Sequence, residues 1–146
     1  MKKEELNELR HRLNHGKDGY IAFHKFVFEK ITEEEVIVSL NPTKDLLNPL
    51  GLLHGGALFG LADTAAGILC RAAGRPSVTL KGSLDYLQGV GLQKIYAKAK
   101  FLNETYRTSV LEVRIEDEEG HLYNHGVFNY YRYQEKKNNK KETTKN

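Results

Sequence analysis

The longest apolar run in the chain extends from Asn48 to Ala73, and between Leu50 and Cys70 only His54 and Asp63 can carry a charge. The run predicts a helix that begins at His54. An irregular lead-in over 43–53, broken by Pro49 and Gly51, precedes it, and Gly74-Arg75-Pro76 stops it near Ala73. A helix that is apolar nearly all round is buried. A carboxylate inside it is costly unless it is paired, hydrogen-bonded or used chemically. Asp63 is therefore the first residue that demands a function. The run is about as long as a membrane span, which needs roughly 20 apolar residues. Asp63 near its centre would add about 2.5–3.5 kcal/mol to insertion, and no second apolar run exists. The reading is the buried helix of a soluble protein without a membrane partner. Its many small residues, the Gly56/Gly60 pair among them, let other backbone or a thin ligand approach closely.

The flanking segments alternate differently. Residues 2–15 put Leu6, Leu9 and Leu13 on one face of a short amphipathic helix that stops at Gly16. Tyr20 to Glu29 is rich in aromatic and β-branched residues and predicts a strand, with His24 a satisfied polar residue in it. Val36 to Leu40 predicts its hairpin partner, ended by Asn41-Pro42. Beyond the helix, four more strands are predicted over Ser77–Leu87, Gln93–Leu102, Thr108–Glu116 and His121–Tyr133, with a turn at Asp117–Gly120. Alternation of apolar and polar positions indicates antiparallel strands with one covered face. The order α-β-β-α-β-β-β-β is an α+β arrangement. An antiparallel sheet of about six strands wrapped around the one long helix is the economical way to bury it.

Length and charge narrow the picture. The 146 residues suit one domain. Of 22 basic and 19 acidic residues, five Lys and two Glu fall in the segment Gln134–Asn146, leaving seventeen of each sign for residues 1–133. A neutral body with a basic polar tail is not a nucleic-acid-binding signature. The tail has no apolar residue to bury and is expected to be disordered. A single cysteine, Cys70, excludes an internal disulfide, and with no leader-like start the cytoplasm is the expected compartment. Cys70 itself reads as a buried inert thiol. His11 and His15 share a helix face, but no acidic partner completes an H-E-x-x-H pattern, so no metal site is expected.

The residues Asn48, His54, Gly55, Gly56 and Asp63 form the pattern N-x5-H-G-G, with the Asp nine positions after the His, inside NPLGLLHGGALFGLADTA. With the order of elements, this stretch resembles the hotdog-fold acyl-CoA thioesterases of the PaaI (phenylacetate-degradation) type, over roughly Tyr20 to Tyr133. The resemblance implies a hotdog fold, a homodimer with a continuous sheet, and often a tetramer made of two such dimers. It implies an active site at the dimer interface, with the helix start from one subunit and the acidic residue from the other. It also matches Thr79 to a strand position where relatives often carry a Ser or Thr hydroxyl that holds the water, with Thr64 as a nearby substitute. Some relatives carry Ser or Thr one turn after the acid, where this chain has Gly67.

Physical chemistry supports the same arrangement independently. The first N–H groups of a helix lack intrahelical partners and sit at the positive end of its dipole. Glycine leaves them bare, so Gly55 N–H, with Gly56 beside it, can polarise a thioester carbonyl and stabilise its oxyanion. At ~1.5 Å rise per residue Asp63 lies ~12 Å from Gly55. The two cannot serve one site within one chain, whereas a symmetric partner can bring its own Asp63. Asp63 is then a general base for water, or a nucleophile forming a mixed anhydride. A thiol leaving group with a pKa of ~8.5 departs readily, so no cofactor is required and coenzyme A is part of the substrate. Asn48 either positions the water or thioester, or caps a turn before Pro49. His54 orients the loop. Lys81 is a candidate contact to the phosphates of coenzyme A, as are Lys98, Lys100 and Arg107. The competing function is a non-catalytic acyl-CoA-binding regulator, against which residues 1–19 are too short for a helix-turn-helix domain ahead of the fold.

Overall fold

The computed structural model describes residues 1–133, so the expected disordered tail lies outside the described residues. Helix α1 (Lys3–His15) and a one-turn helix α2 (Tyr20–His24) precede strands β1 (Val27–Ile31) and β2 (Glu35–Leu40). A single 3-10 turn at Lys44–Leu46 leads to α3 (Gly55–Ala72). Strands β3 (Ser77–Tyr86), β4 (Ile95–Glu104), β5 (Thr108–Glu116) and β6 (Leu122–Arg132) follow. All six strands form one antiparallel sheet in the order β1-β2-β4-β5-β6-β3. α3 lies across it, packed on β2 to β6, and the α+β arrangement predicted from the pattern, with the hotdog fold that the resemblance implied, is what forms. None of the helices among the described residues is long and apolar enough to cross a membrane.

The sheet covers only one side of α3. Leu58, Leu61, Ala62, Ala65, Leu69 and Cys70 are fully enclosed, each apolar side chain of leucine size contributing about 1.5–3 kcal/mol by leaving water. The opposite stripe, Gly56, Gly60, Asp63, Thr64, Gly67 and Arg71, stays partly or fully open. It repeats at three- and four-residue steps, one face of a helix. The expectation of a helix enclosed all round by its own sheet is thus corrected. Asp63 sits on the open stripe, half-buried, rather than deep in the core.

The two sheet edges differ. At β1, the Asn14 side chain of α1 donates to Phe28 O (3.1 Å) and accepts from Phe28 N (2.7 Å), capping the edge. Leu6 and Leu9 on the same helix are buried in the core. The β3 edge has no such cover among the described residues, and Val78, Leu80, Tyr86 and Leu87 along it are each more than half exposed. A bulge between Thr79 and Lys81 interrupts its pairing with β6. The even alternation read over Ser77–Leu87 therefore breaks in two. Thr79 and, beyond the bulge, Gly82 face α3, while Lys81 points to the other side of the sheet beside Asn129.

The expected strand over Tyr20–Glu29 is also corrected, since only Val27–Ile31 is extended. Gly19 at φ 91° and Lys25 at φ 57° bracket one helical turn. The Tyr20 and His24 rings stack edge-on at 4.2 Å. The Tyr20 hydroxyl enters a notch in α3 at Gly60, where a Cβ would lie 1.9 Å from the oxygen. Packing against α3 overrides the β propensity of the aromatic residues. His24 stacks on Phe26, and its Nδ1 is buried without a partner among the described residues, contrary to the satisfied polar residue expected.

Close approach makes one stability prediction. A Cβ on Gly126 of β6 would fall 2.6 Å from Ser83 O, a backbone atom of the paired strand that cannot rotate away. Gly126→Ala is expected to destabilise the protein by about 1–3 kcal/mol. Denaturant titration reads this as a lowered midpoint, and an unmoved midpoint would refute the packing at this position.

Candidate active site

Two half-sites lie on α3 and its partners on β3 and β6. The first is the helix start. Asn41-Pro42 ends β2, and the lead-in is pinned by a bridge between Leu47 and Leu53 and by Leu53 N donating to Val90 O (2.7 Å). Asn48 Oδ1 accepts from Leu50 N (2.9 Å) and Leu52 N (3.1 Å). Asn48 Oδ1 thus caps the turn, while its Nδ2 has no acceptor among the described residues.

His54 is the N-cap, with φ −59° and ψ 135°. Its Nδ1 accepts from Gly56 N (2.8 Å), which puts the ring proton of neutral His54 on Nε2. Its carbonyl accepts from Ala57 N (3.0 Å) and Leu58 N (3.2 Å), and its own N–H donates to Leu46 O (2.8 Å). Among the first-turn amides only Gly55 N–H has no acceptor among the described residues. Of the two glycines expected to offer bare donors, Gly56 is therefore corrected: its N–H is taken by His54. The His54 ring and backbone are thus both engaged with the lead-in and the first turn of α3. Tyr86 closes this half-site, its hydroxyl donating to Gly55 O at 2.7 Å.

The second half-site is two turns further along. Asp63 Oδ1 accepts from Thr79 Oγ1 (2.9 Å) and from the Tyr130 hydroxyl (2.5 Å), whose proton is shared with Asp63 O (2.6 Å). Oδ2 has no partner among the described residues. Burial, and then the Asp63 hydrogen bond, push the Tyr130 phenol well above its ordinary value, so it remains a donor. Gly67, one turn on, packs against the Tyr130 ring and leaves the helix surface open where a side chain would stand. Asp63 lines a groove of about 1390 Å³ together with Thr79, Tyr130, Arg71, Arg107 and Arg132.

Of the residues singled out from the sequence, the structure joins Asp63 to Thr79 and joins His54 to Gly55 and Gly56. It does not bring Asp63 to Gly55 within one chain, as the helix rise requires. Thr64 makes no side-chain hydrogen bond to the described residues, so Thr79 rather than Thr64 holds the carboxylate. Lys81 lies on the far side of the sheet from both half-sites. Lys98 and Lys100 are paired with Glu116 (3.0 Å) and Glu35 (3.1 Å). Cys70 is enclosed and burial raises its thiol to about 11, which suits an inert thiol. Two residues were not singled out, Tyr86 and Tyr130. No local signal marked either, because each hydroxyl finds its partner far away in the chain.

The comparisons agree with the fold and the family. The model of the thioesterase superfamily matches residues 50–123. The acyl-coenzyme A thioesterase PaaI of Escherichia coli K12 is 31% identical over 80 residues, 54% of this chain and 57% of that protein. The chain thus matches a little over half the length of that relative. The structure of Escherichia coli PaaI superposes with a TM-score of 0.82 at 20% identity, over 91% of this chain and 97% of that one. A hypothetical thioesterase from Streptococcus pneumoniae TIGR4, solved with coenzyme A, gives a TM-score of 0.72 at 27% identity, over 77% of this chain and 88% of that one.

Proposed function

Because this chain belongs to the thioesterase superfamily, we propose that it hydrolyses acyl-CoA thioesters at sites shared between two subunits. The observation that carries the proposal is the bare amide Gly55 N–H at the positive end of α3, the one first-turn amide without an acceptor among the described residues. A thioester carbonyl docked there is polarised, and the oxyanion that follows is stabilised by a donor already in place. Asp63 of the second subunit supplies the free Oδ2, either taking a proton from water or attacking the carbonyl itself. Thr79 and Tyr130 hold Oδ1 and so aim Oδ2. The thiolate of coenzyme A leaves without an added acid.

The dimer follows from what one chain leaves open. The β3 edge, a ten-residue strand whose outward-facing N–H and C=O groups have no strand partner among the described residues, carries exposed apolar side chains and is where a second copy can pair. Asp63 and Thr64 on the partly open face of α3 would then turn toward the second copy. Such a pairing carries a second Asp63 toward Gly55. A dimer of such dimers in the cytoplasm completes the proposal. Bound coenzyme A in the pneumococcal structure supports the substrate class.

With Lys98 and Lys100 held in ion pairs and Lys81 on the far face, the phosphate contacts pass to the groove arginines. Arg71, Arg107 and Arg132 have no carboxylate partner among the described residues, and Arg107 and Arg132 flank the Tyr106 ring at 5.0 and 5.6 Å. Arg107→Ala is expected to raise KM for acyl-CoA about three- to tenfold with little change in kcat. A pantetheine thioester lacking the phosphates should show no such change, and equal effects on both substrates would remove Arg107 from this role.

The test of the function is release of free thiol from phenylacetyl-, benzoyl-, short-chain and long-chain acyl-CoA. Turnover on at least one establishes the activity and the best substrate gives the acyl group. Binding of acyl-CoA with no turnover on any would replace the proposal with the regulator.

A further inference from the structure

We infer that Tyr86 is a positioning residue for the oxyanion donor, holding one end of the Gly55–Gly56 peptide while His54 holds the other. The inference rests on the thioesterase reading. The peptide joining Gly55 to Gly56 carries the Gly55 carbonyl and the Gly56 amide. The carbonyl accepts from the Tyr86 hydroxyl at 2.7 Å and the amide donates to His54 Nδ1 at 2.8 Å. A rigid planar unit gripped at both ends cannot rotate. The Tyr86 ring also stands 3.3 Å from where a Gly55 Cβ would be, so it fills the place of the missing side chain against the Gly55 Cα. Two glycines in succession would otherwise leave this turn the most conformationally free part of the helix. The bare Gly55 N–H belongs to the preceding peptide, whose His54 carbonyl accepts from Ala57 N (3.0 Å) and Leu58 N (3.2 Å), so the Tyr86 contact completes the hold on both peptides that meet at the Gly55 Cα.

Tyr86 is itself anchored. It closes β3, where it pairs with Asn124 of β6. The two residues after it, Leu87 and Gln88, both donate their N–H groups to Tyr123 O, at 3.0 and 3.2 Å. Two residues further on, Val90 O receives Leu53 N at 2.7 Å, tying the same loop to the approach of α3. The end of β3 and the start of α3 are thus one braced unit with the tyrosine as its crossbar. Burial raises the Tyr86 phenol above its ordinary value, so the hydroxyl keeps the proton it donates.

A donor is effective when it is aimed before the charge develops. Loss of the crossbar should therefore lower kcat and leave substrate binding nearly unchanged. Tyr86→Phe keeps the ring and removes the hydroxyl. Its kcat is expected to fall about tenfold, with KM within about twofold and an unchanged unfolding midpoint, since the hydroxyl sits on the surface of the helix start. Tyr86→Ala removes ring and hydroxyl and should fall further. The effect of Tyr86→Phe should largely vanish in a His54→Ala background, where the peptide is already loose at its other end. The Gly55 amide resonance of isotope-labelled protein should move in Tyr86→Phe whether or not a substrate has been found. A Tyr86→Phe protein with wild-type kcat, or with the Gly55 resonance in place, overturns the inference and leaves the thioesterase reading standing. A wild-type protein that turns over no acyl-CoA overturns that reading instead, and the resonance then decides the positioning on its own.

Discussion

Asp63→Asn is expected to lower thioester turnover by about 10²–10⁴-fold while leaving the fold intact. The substitution is nearly isosteric. Asn Oδ1 can still accept from Thr79 and from Tyr130, the two contacts that hold the side chain now. The new amide group replaces Oδ2, which faces the groove and has no partner among the described residues, so nothing buried is left unsatisfied. Stability should therefore stay within about 0.5 kcal/mol of wild type, as for a substitution outside the core. Chemistry has no such tolerance. An amide neither takes a proton from water at neutral pH nor attacks a thioester, so both candidate mechanisms fail together. They separate in a single turnover run in ¹⁸O-labelled water. If water attacks directly, the first product acid carries the label. If Asp63 attacks and water then opens the anhydride at the Asp63 carbonyl, the first product carries an unlabelled oxygen from that carboxylate and the label is found in Asp63 itself. Near-wild-type thiol release by Asp63→Asn would end any catalytic role for Asp63, whatever the fold.

How much of this was readable from the chain depended on whether the signal was local. The helix from Gly55 and the strand Thr108–Glu116 could be bounded from pattern alone, because long periodic runs between clear stops need no tertiary information. The conflict of an acid in an apolar helix singled out Asp63 by the same local logic. The aromatic segment at Tyr20 misled because its conformation is decided by a notch at Gly60, forty residues away, and not by its own propensity. The bulge in β3 was hidden because apolar and polar residues alternate straight through it, so the pattern gave no sign that Lys81 changes sides. Tyr130 and Tyr86 were out of reach for a related reason. Each meets its half-site through a contact 67 or 31 residues away in the chain, and nothing in the neighbourhood of either announces its partner. The exposed stripe of α3 lay between these cases. Its small residues were noticed, but only the structure shows that they lie on the face the sheet leaves open, with Tyr20 seated at Gly60.

Gly55→Pro is expected to remove about 10²–10³-fold of the rate by deleting the oxyanion donor itself. Proline at the first position of a helix costs nothing in helical hydrogen bonding, because the N–H it lacks has no intrahelical partner there. The residue before proline must be extended, and His54, at φ −59° and ψ 135°, already is. The nearest obstacle is the Tyr86 ring, 3.3 Å from a Cβ at this position, which can give by a few tenths of an ångström on a half-exposed side chain. The variant is thus a folded protein with a blank where the donor was. Its greater use is in combination. Asp63→Asn and Gly55→Pro proteins are each inactive alone, for different reasons. In a mixed dimer, one of the two shared sites joins the intact Gly55 of the first variant to the intact Asp63 of the second, and the other site carries both defects. Random assortment makes half of all dimers mixed, so co-expressed variants should recover about a quarter of wild-type activity. If each site were built within one chain, no mixture could contain a complete site and the recovery would be nil. Recovered activity thus separates a shared site from a self-contained one without reference to any structure of the dimer. A mixture that stays dead, although mixed dimers are present by mass, would refute the joining of Gly55 and Asp63 across subunits.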